Sequence, residues 1–112
     1  MIISIRSGLF AACVSAALAA PVAQAQNVTG DAEAAKNKVS MCIGCHGIPG
    51  YKTAFPKVYH VPKIAGQQPV YIVNALKAYK SGERSHPSMI GIAKSLSEQD
   101  MADLAAYYGG KQ

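Results

Sequence analysis

The chain has no tryptophan and only two phenylalanines, Phe10 and Phe55, among its 112 residues. That leaves little of the bulky aromatic area from which small domains build a core. Acidic side chains are also scarce, with 6 Asp and Glu against 11 Lys and Arg and a formal charge of +5. The basic residues form no cluster of four or more, which argues against nucleic acid and for docking on acidic surfaces. No apolar run is long enough to span a bilayer: residues 8–20 fall short of the roughly 20 that a membrane helix needs.

What stands at the start is an export pattern. Arg6 supplies one positive charge, residues 8–20 are small and apolar, and Ala23-Gln24-Ala25 follows Pro21. This is the layout of a secretory signal peptide over residues 1–25, removed after Ala25. It predicts a periplasmic domain of residues 26–112, with ten basic and six acidic residues and no stable membrane insertion. Phe10 and Cys13 leave with the signal, so one phenylalanine and the pair Cys42 and Cys45 remain. A disulfide across so tight a loop would constrain little chain. A domain this short and thinly filled is expected to take stability from a bound group.

Asp31 to about Met41 reads as a helix, with Asp31 and Glu33 in its first turn and Lys36 and Lys38 later, and it runs directly into Cys42. Residues 47–69 are too polar, and too interrupted by Pro49, Pro56, Pro62 and Gly66, for strands; they read as a long loop. Pro69 opens a helix through Val70 to Ser81, with Val70, Val73, Leu76, and also Ile72 and Tyr79, on its apolar side and Gly82 as its stop. Residues 89–96 are expected to hold a short helical turn. Ser97 and Asp100 form a capping pair for a last helix to Tyr108, whose inner side carries Met101, Leu104, Ala105 and Tyr108. The fold class is all-α, with three main helices and long loops.

Cys42-Ile43-Gly44-Cys45-His46 is C-x-x-C-H, the attachment pattern of a c-type haem. Two thiols three positions apart on a helical turn can reach the two vinyl groups of one porphyrin, and the next residue projects an imidazole to the iron. Cys42 and Cys45 are therefore the expected thioether positions and His46 the proximal ligand. A thioredoxin-like pair needs a βαβ context that is missing. A zinc site using His60 and His86 lacks the usual histidine spacing. The sixth ligand is to be sought among Met41, Met89, Met101, His60 and His86. Met41 adjoins the attachment helix and cannot cross to the opposite face of the haem, while Met101 sits on an apolar helix side where core packing explains it. Met89 follows the irregular segment His86-Pro87-Ser88, with His86 three residues earlier on the same loop.

From Asp31 to Tyr108 the chain resembles a short bacterial class I cytochrome c, the soluble monohaem kind that also forms each half of dihaem cytochromes. The likeness rests on CIGCHG (42–47), PKIAGQ (62–67), YIVNALKAYKSGER (71–84), and Met89 with the closing LSEQD (96–100) into LAAY (104–107). It implies one covalent haem c with its iron held by His46 and Met89, His86 being the main rival. It also assigns the carbonyl of Pro62 to orienting His46. Lys63, Gln67 and Tyr71 are expected to flank the pocket or meet the propionates, and Tyr71, Leu76 and Tyr79 to pack on the porphyrin.

His/Met ligation raises the reduction potential relative to two imidazoles and fills both axial positions, which leaves no catalytic site. The expected function is single-electron shuttling between redox partner proteins. Lys52, Lys57, Lys63, Lys77, Lys80 and Arg84 are expected to form a basic rim for an acidic partner. The alternatives are a cytochrome subunit held permanently in a dehydrogenase or oxidase, a haem enzyme or gas sensor lacking the methionine ligand, and a non-haem metal or redox module.

Overall fold

The computed structural model describes residues 28–55 and 57–110. The expected signal peptide and the start of the expected mature domain lie outside these residues. Five helical segments and one small ribbon follow in order: α1 (Ala32–Ala35), α2 (Ser40–His46), β1 (Lys52–Thr53), β2 (Tyr59–His60), α3 (Pro69–Ser81), α4 (Pro87–Ser95) and α5 (Glu98–Gly109).

The last helix is the centre of the core. Met101, Leu104, Ala105 and Tyr108 of α5 are buried, together with Ile72 and Leu76 of α3, Ala35 of α1 and Leu96. Full burial of a side chain such as Leu104 contributes about 2 kcal/mol of hydrophobic free energy. Ser97 caps α5 through a box, its hydroxyl accepting from Asp100 N while its own N–H donates 2.9 Å to Asp100 Oδ2. Close approach binds α1 and α3 to α5. A Cβ on Gly109 would lie 2.5 Å from Pro69 Cγ, so the end of α5 nests on the start of α3. At the opposite end Asp31 N donates 2.8 Å to Oδ1 of the buried Asp103, and Lys38 pairs with Asp100.

The single helix expected from Asp31 to Met41 is two segments. Between them the bonds tighten to the three-residue kind, Lys36 N to Glu33 O at 3.1 Å and Lys38 N to Ala35 O at 2.8 Å. Asn37 and the β-branched Val39 are weak helix formers, and they stand where the ladder gives way. α2 then starts afresh and carries Met41, Cys42, Cys45 and His46.

Two further expectations need correction. Residues 47–69 hold a ribbon rather than loop alone, with Lys52 opposite His60 and Thr53 opposite Tyr59. Val61 N to Tyr51 O (3.0 Å) extends it, and Thr53 Oγ1 donates to Lys57 O at 3.1 Å across the turn. Two paired residues per strand are too short to leave an alternating pattern in the sequence. The short helical turn expected over residues 89–96 is the nine-residue α4, which starts at Pro87 within the segment expected to be irregular and holds Met89 in its first turn. Pro87 opens α4 with its fixed φ, while Ser88 and Gly91, weak formers both, hide the helical period.

Candidate functional site

α2, α3, α4, α5 and the segment 62–67 enclose a cavity of about 260 Å³. Its walls are largely apolar, with Ile64, Ile72, Leu76, Ile92 and Leu104 among them. Cys42, His46 and Met89 all open onto this space, as does Pro62. Lys63, Gln67, Tyr71, Tyr79 and Arg84 line it as well, so the residues expected to flank a pocket do lie around one.

His46 is held from behind. Its Nδ1 lies 2.6 Å from the carbonyl oxygen of Pro62. A carbonyl only accepts, so the proton of the neutral ring sits on Nδ1 and Nε2 keeps its lone pair. That is the tautomer a metal-binding imidazole needs. Pro62 follows Val61, whose N–H closes the ribbon ladder, so the ribbon sets where this carbonyl stands.

The thiols differ in setting. Cys42 is half-buried among core residues and Cys45 is exposed; both are free. Burial pushes the Cys42 thiol up, with the neighbouring Tyr108 hydroxyl working in the opposite direction. The Tyr108 hydroxyl is itself buried at the cavity wall without a well-formed hydrogen bond among the described residues. Desolvation pushes its phenol up to about 12.

The other candidate ligands are placed elsewhere. Met101 is buried in the core and His60 lies on β2. His86 does not line the cavity; its ring meets Tyr59 edge-on, centroids 5.3 Å apart. Met41 does line it, on the same helix as His46. Among the described residues no three His, Cys, Asp or Glu side chains converge on one point. No helix among them is long and apolar enough to cross a membrane.

The expected basic rim divides in two. Lys63 and Arg84 line the cavity and Lys52 and Lys57 flank the ribbon turn, but Lys77 bonds Glu98 at 3.3 Å and Lys80 donates to Leu96 O. Arg84 lies over two rings, 5.1 Å from Tyr79 and 5.8 Å from Tyr71. The sequence did not reveal this stack, because a loop arginine carries no periodic signal. Ile64, Ile92 and Leu104 were likewise not recognised as cavity walls, since apolar periodicity marks an inner face without saying what it meets.

A flat apolar ring system with two carboxylates and an iron at its centre matches these walls. They offer the free thiol of Cys42, an imidazole with an open Nε2, a thioether sulfur, and polar groups at Lys63, Gln67 and Arg84, while Cys45, exposed on the same helix, does not line the cavity. Residues 32–108 match the cytochrome c family. The chain belongs to that family. It is 37% identical over 86 residues to cytochrome c-554(548) of Halomonas halodenitrificans, covering 74% of this chain and 99% of that one. The crystal structure of reduced recombinant cytochrome c4 from Pseudomonas stutzeri superposes with a TM-score of 0.60 at 35% identity. The match covers 75% of this chain and 47% of that one, so the chain spans about half of a cytochrome c4. It is also 34% identical over 68 residues to the cytochrome subunit of sulfide dehydrogenase from Chlorobaculum tepidum, covering 61% of this chain and 57% of that protein. Family membership brings with it one covalent haem c with its iron, and electron transfer as the family's work.

Proposed function

We propose that this chain is an exported single-electron carrier. In this reading Cys42 and Cys45 hold the haem through thioethers, and His46 and Met89 ligate its iron. The bound haem iron supplies the redox chemistry, taking up and releasing one electron. The chain's own residues do the rest. Pro62 fixes the tautomer and orientation of His46 through the 2.6 Å contact at Nδ1. Met89, a soft thioether donor, favours the reduced metal and occupies the position that a catalytic site would leave open. The apolar walls exclude water, and Lys63, Gln67 and Arg84 on the cavity lining would offer donors to the carboxylates of the group.

The observation that carries this reading is the shared cavity: His46, Met89 and Cys42 face one space, while Met101, His60 and His86 do not line it. The amino-terminal pattern supports export to the periplasm with cleavage after Ala25.

Optical spectroscopy of the purified protein tests the ligand set. The oxidised protein is expected to show the weak red-edge band of sulfur bound to ferric iron, and Met89→Ala is expected to abolish it. A wild type without that band would remove the methionine; a band that persists in Met89→Ala would move the role to another methionine. The likeness to a dehydrogenase subunit favours a second reading, permanent residence in a larger enzyme. Purification from the native cell as a free monomer would eliminate it.

A further inference from the structure

Charge is distributed unevenly along this fold. Five of the six acidic residues, Asp31, Glu33, Glu98, Asp100 and Asp103, lie on α5 or on the α1 segment packed against it. Between Glu33 and Glu83 there is no acidic residue, while Lys36, Lys38, Lys52, Lys57, Lys63, Lys77 and Lys80 fall in that stretch. The ion pairs among the described residues join Lys36, Lys38 and Lys77 to Glu33, Asp100 and Glu98. Lys52, Lys57 and Lys63 take part in none of them. Positive charge without a partner is therefore concentrated at the ribbon and the cavity mouth.

The same ribbon carries the most exposed large apolar side chain of the described structure, Phe55, with two more exposed ones close by in sequence. Phe55 is 87% exposed, Val58 72% and Tyr59 55%, three within five positions, with Lys52 and Lys57 beside them. Single exposed hydrophobes are ordinary, but an apolar cluster rimmed by charge marks a contact surface. The turn is also braced. Thr53 Oγ1 bonds across it, the Tyr51–Val61 rung leads into Pro62 and so to His46, and Tyr59 packs on His86, three residues before Met89. The knob is thus tied to segments on both sides of the cavity.

We propose that the β1–β2 ribbon, with Lys52, Phe55, Lys57 and Val58, is the docking element for a redox partner, with Phe55 and Val58 entering an apolar recess ringed by acidic side chains. This rests on the carrier reading. The lysines orient the encounter, and the apolar tip holds the complex once water is expelled. A small, mixed contact of this kind releases fast enough for a shuttle.

The test uses the haem-loaded protein, reduced, and oxidised plastocyanin, an acidic blue-copper carrier, as the probe. Second-order rate constants are measured by stopped flow across ionic strength. Lys52→Glu combined with Lys57→Glu is expected to slow the reaction about tenfold at low salt and to match wild type at high salt. Phe55→Ser combined with Val58→Ser is expected to slow it about tenfold at both, because apolar contact is not screened. Unchanged spectra in the variants show that the fold and the carrier are intact. An apolar double variant as fast as wild type, or a wild-type rate indifferent to salt, would overturn the proposal. So would a wild-type dimer that the apolar substitutions dissolve, since a second copy would then cover the knob. A colourless wild type would instead defeat the carrier reading itself.

Discussion

Gly30 stands where the chain entering α1 crosses α5, and the structure fixes what a side chain there would cost. A Cβ at Gly30 would lie 2.1 Å from Ala102 O, 2.6 Å from Ala102 C and 3.0 Å from Ala106 Cβ. Carbon atoms in good contact stay about 3.5 Å apart, so the clash with Ala102 C alone is close to 1 Å. The obstructing atoms belong mostly to helix backbone, which cannot swing aside as a side-chain tip would. Gly30 also precedes Asp31, whose N–H bonds the buried Asp103, so displacing one strains the other. Gly30→Ala is therefore expected to destabilise the domain by about 1–3 kcal/mol, the usual cost of overpacking. For a domain of this size that lowers Tm by roughly 5–20 °C. Thermal unfolding of the haem-loaded protein, followed by circular dichroism, measures it. The optical spectrum should stay that of wild type, because no cavity residue is touched. A Tm within a degree or two of wild type would refute the close α1–α5 crossing on which the argument depends.

The same reasoning gives the opposite sign at Gly91, inside α4, where a Cβ would meet nothing within 4 Å; Gly91→Ala is expected to raise Tm by a few degrees, since alanine is the better helix former by about 1 kcal/mol. Alkaline pH should expose Tyr108. Its buried phenol is pushed up to about 12, whereas an unfolded tyrosine titrates near 10. The unfolded chain therefore loses this proton first, and stability should fall as pH rises from about 10 to about 12. Denaturant midpoints taken at stepped pH should show this decline in wild type and a smaller one in Tyr108→Phe; equal declines would contradict the burial of that hydroxyl.

The parts of the fold legible in the sequence are those that local chemistry determines. Pro69 and Gly82 bound α3 because one presets φ and the other takes the left-handed φ of 88° at its end. Ser97 and Asp100 start α5 because their side chains satisfy backbone donors three residues apart. C-x-x-C-H needs no fold to be read. The features that escaped depend on distant partners. α4 is held by burial of Ala93 and Leu96 against the core, which outweighs the weak propensities of Ser88 and Gly91. The ribbon is too short for a period and exists through its cross-strand bonds. Asp103 reads as one more exposed helical acid until its bond to Asp31, 72 residues away, explains its burial. The division of the lysines likewise appears only when Glu98 and the carbonyl of Leu96 come near Lys77 and Lys80.

Intact-mass measurement of the secreted polypeptide, produced alongside a c-type maturation system, tests the central claim most directly. The mass should exceed that of residues 26–112 by one haem, surviving denaturation and acid, with both Cys42 and Cys45 unreactive to thiol alkylation. A mature chain of unmodified mass, with two alkylatable thiols, would contradict the account at its root.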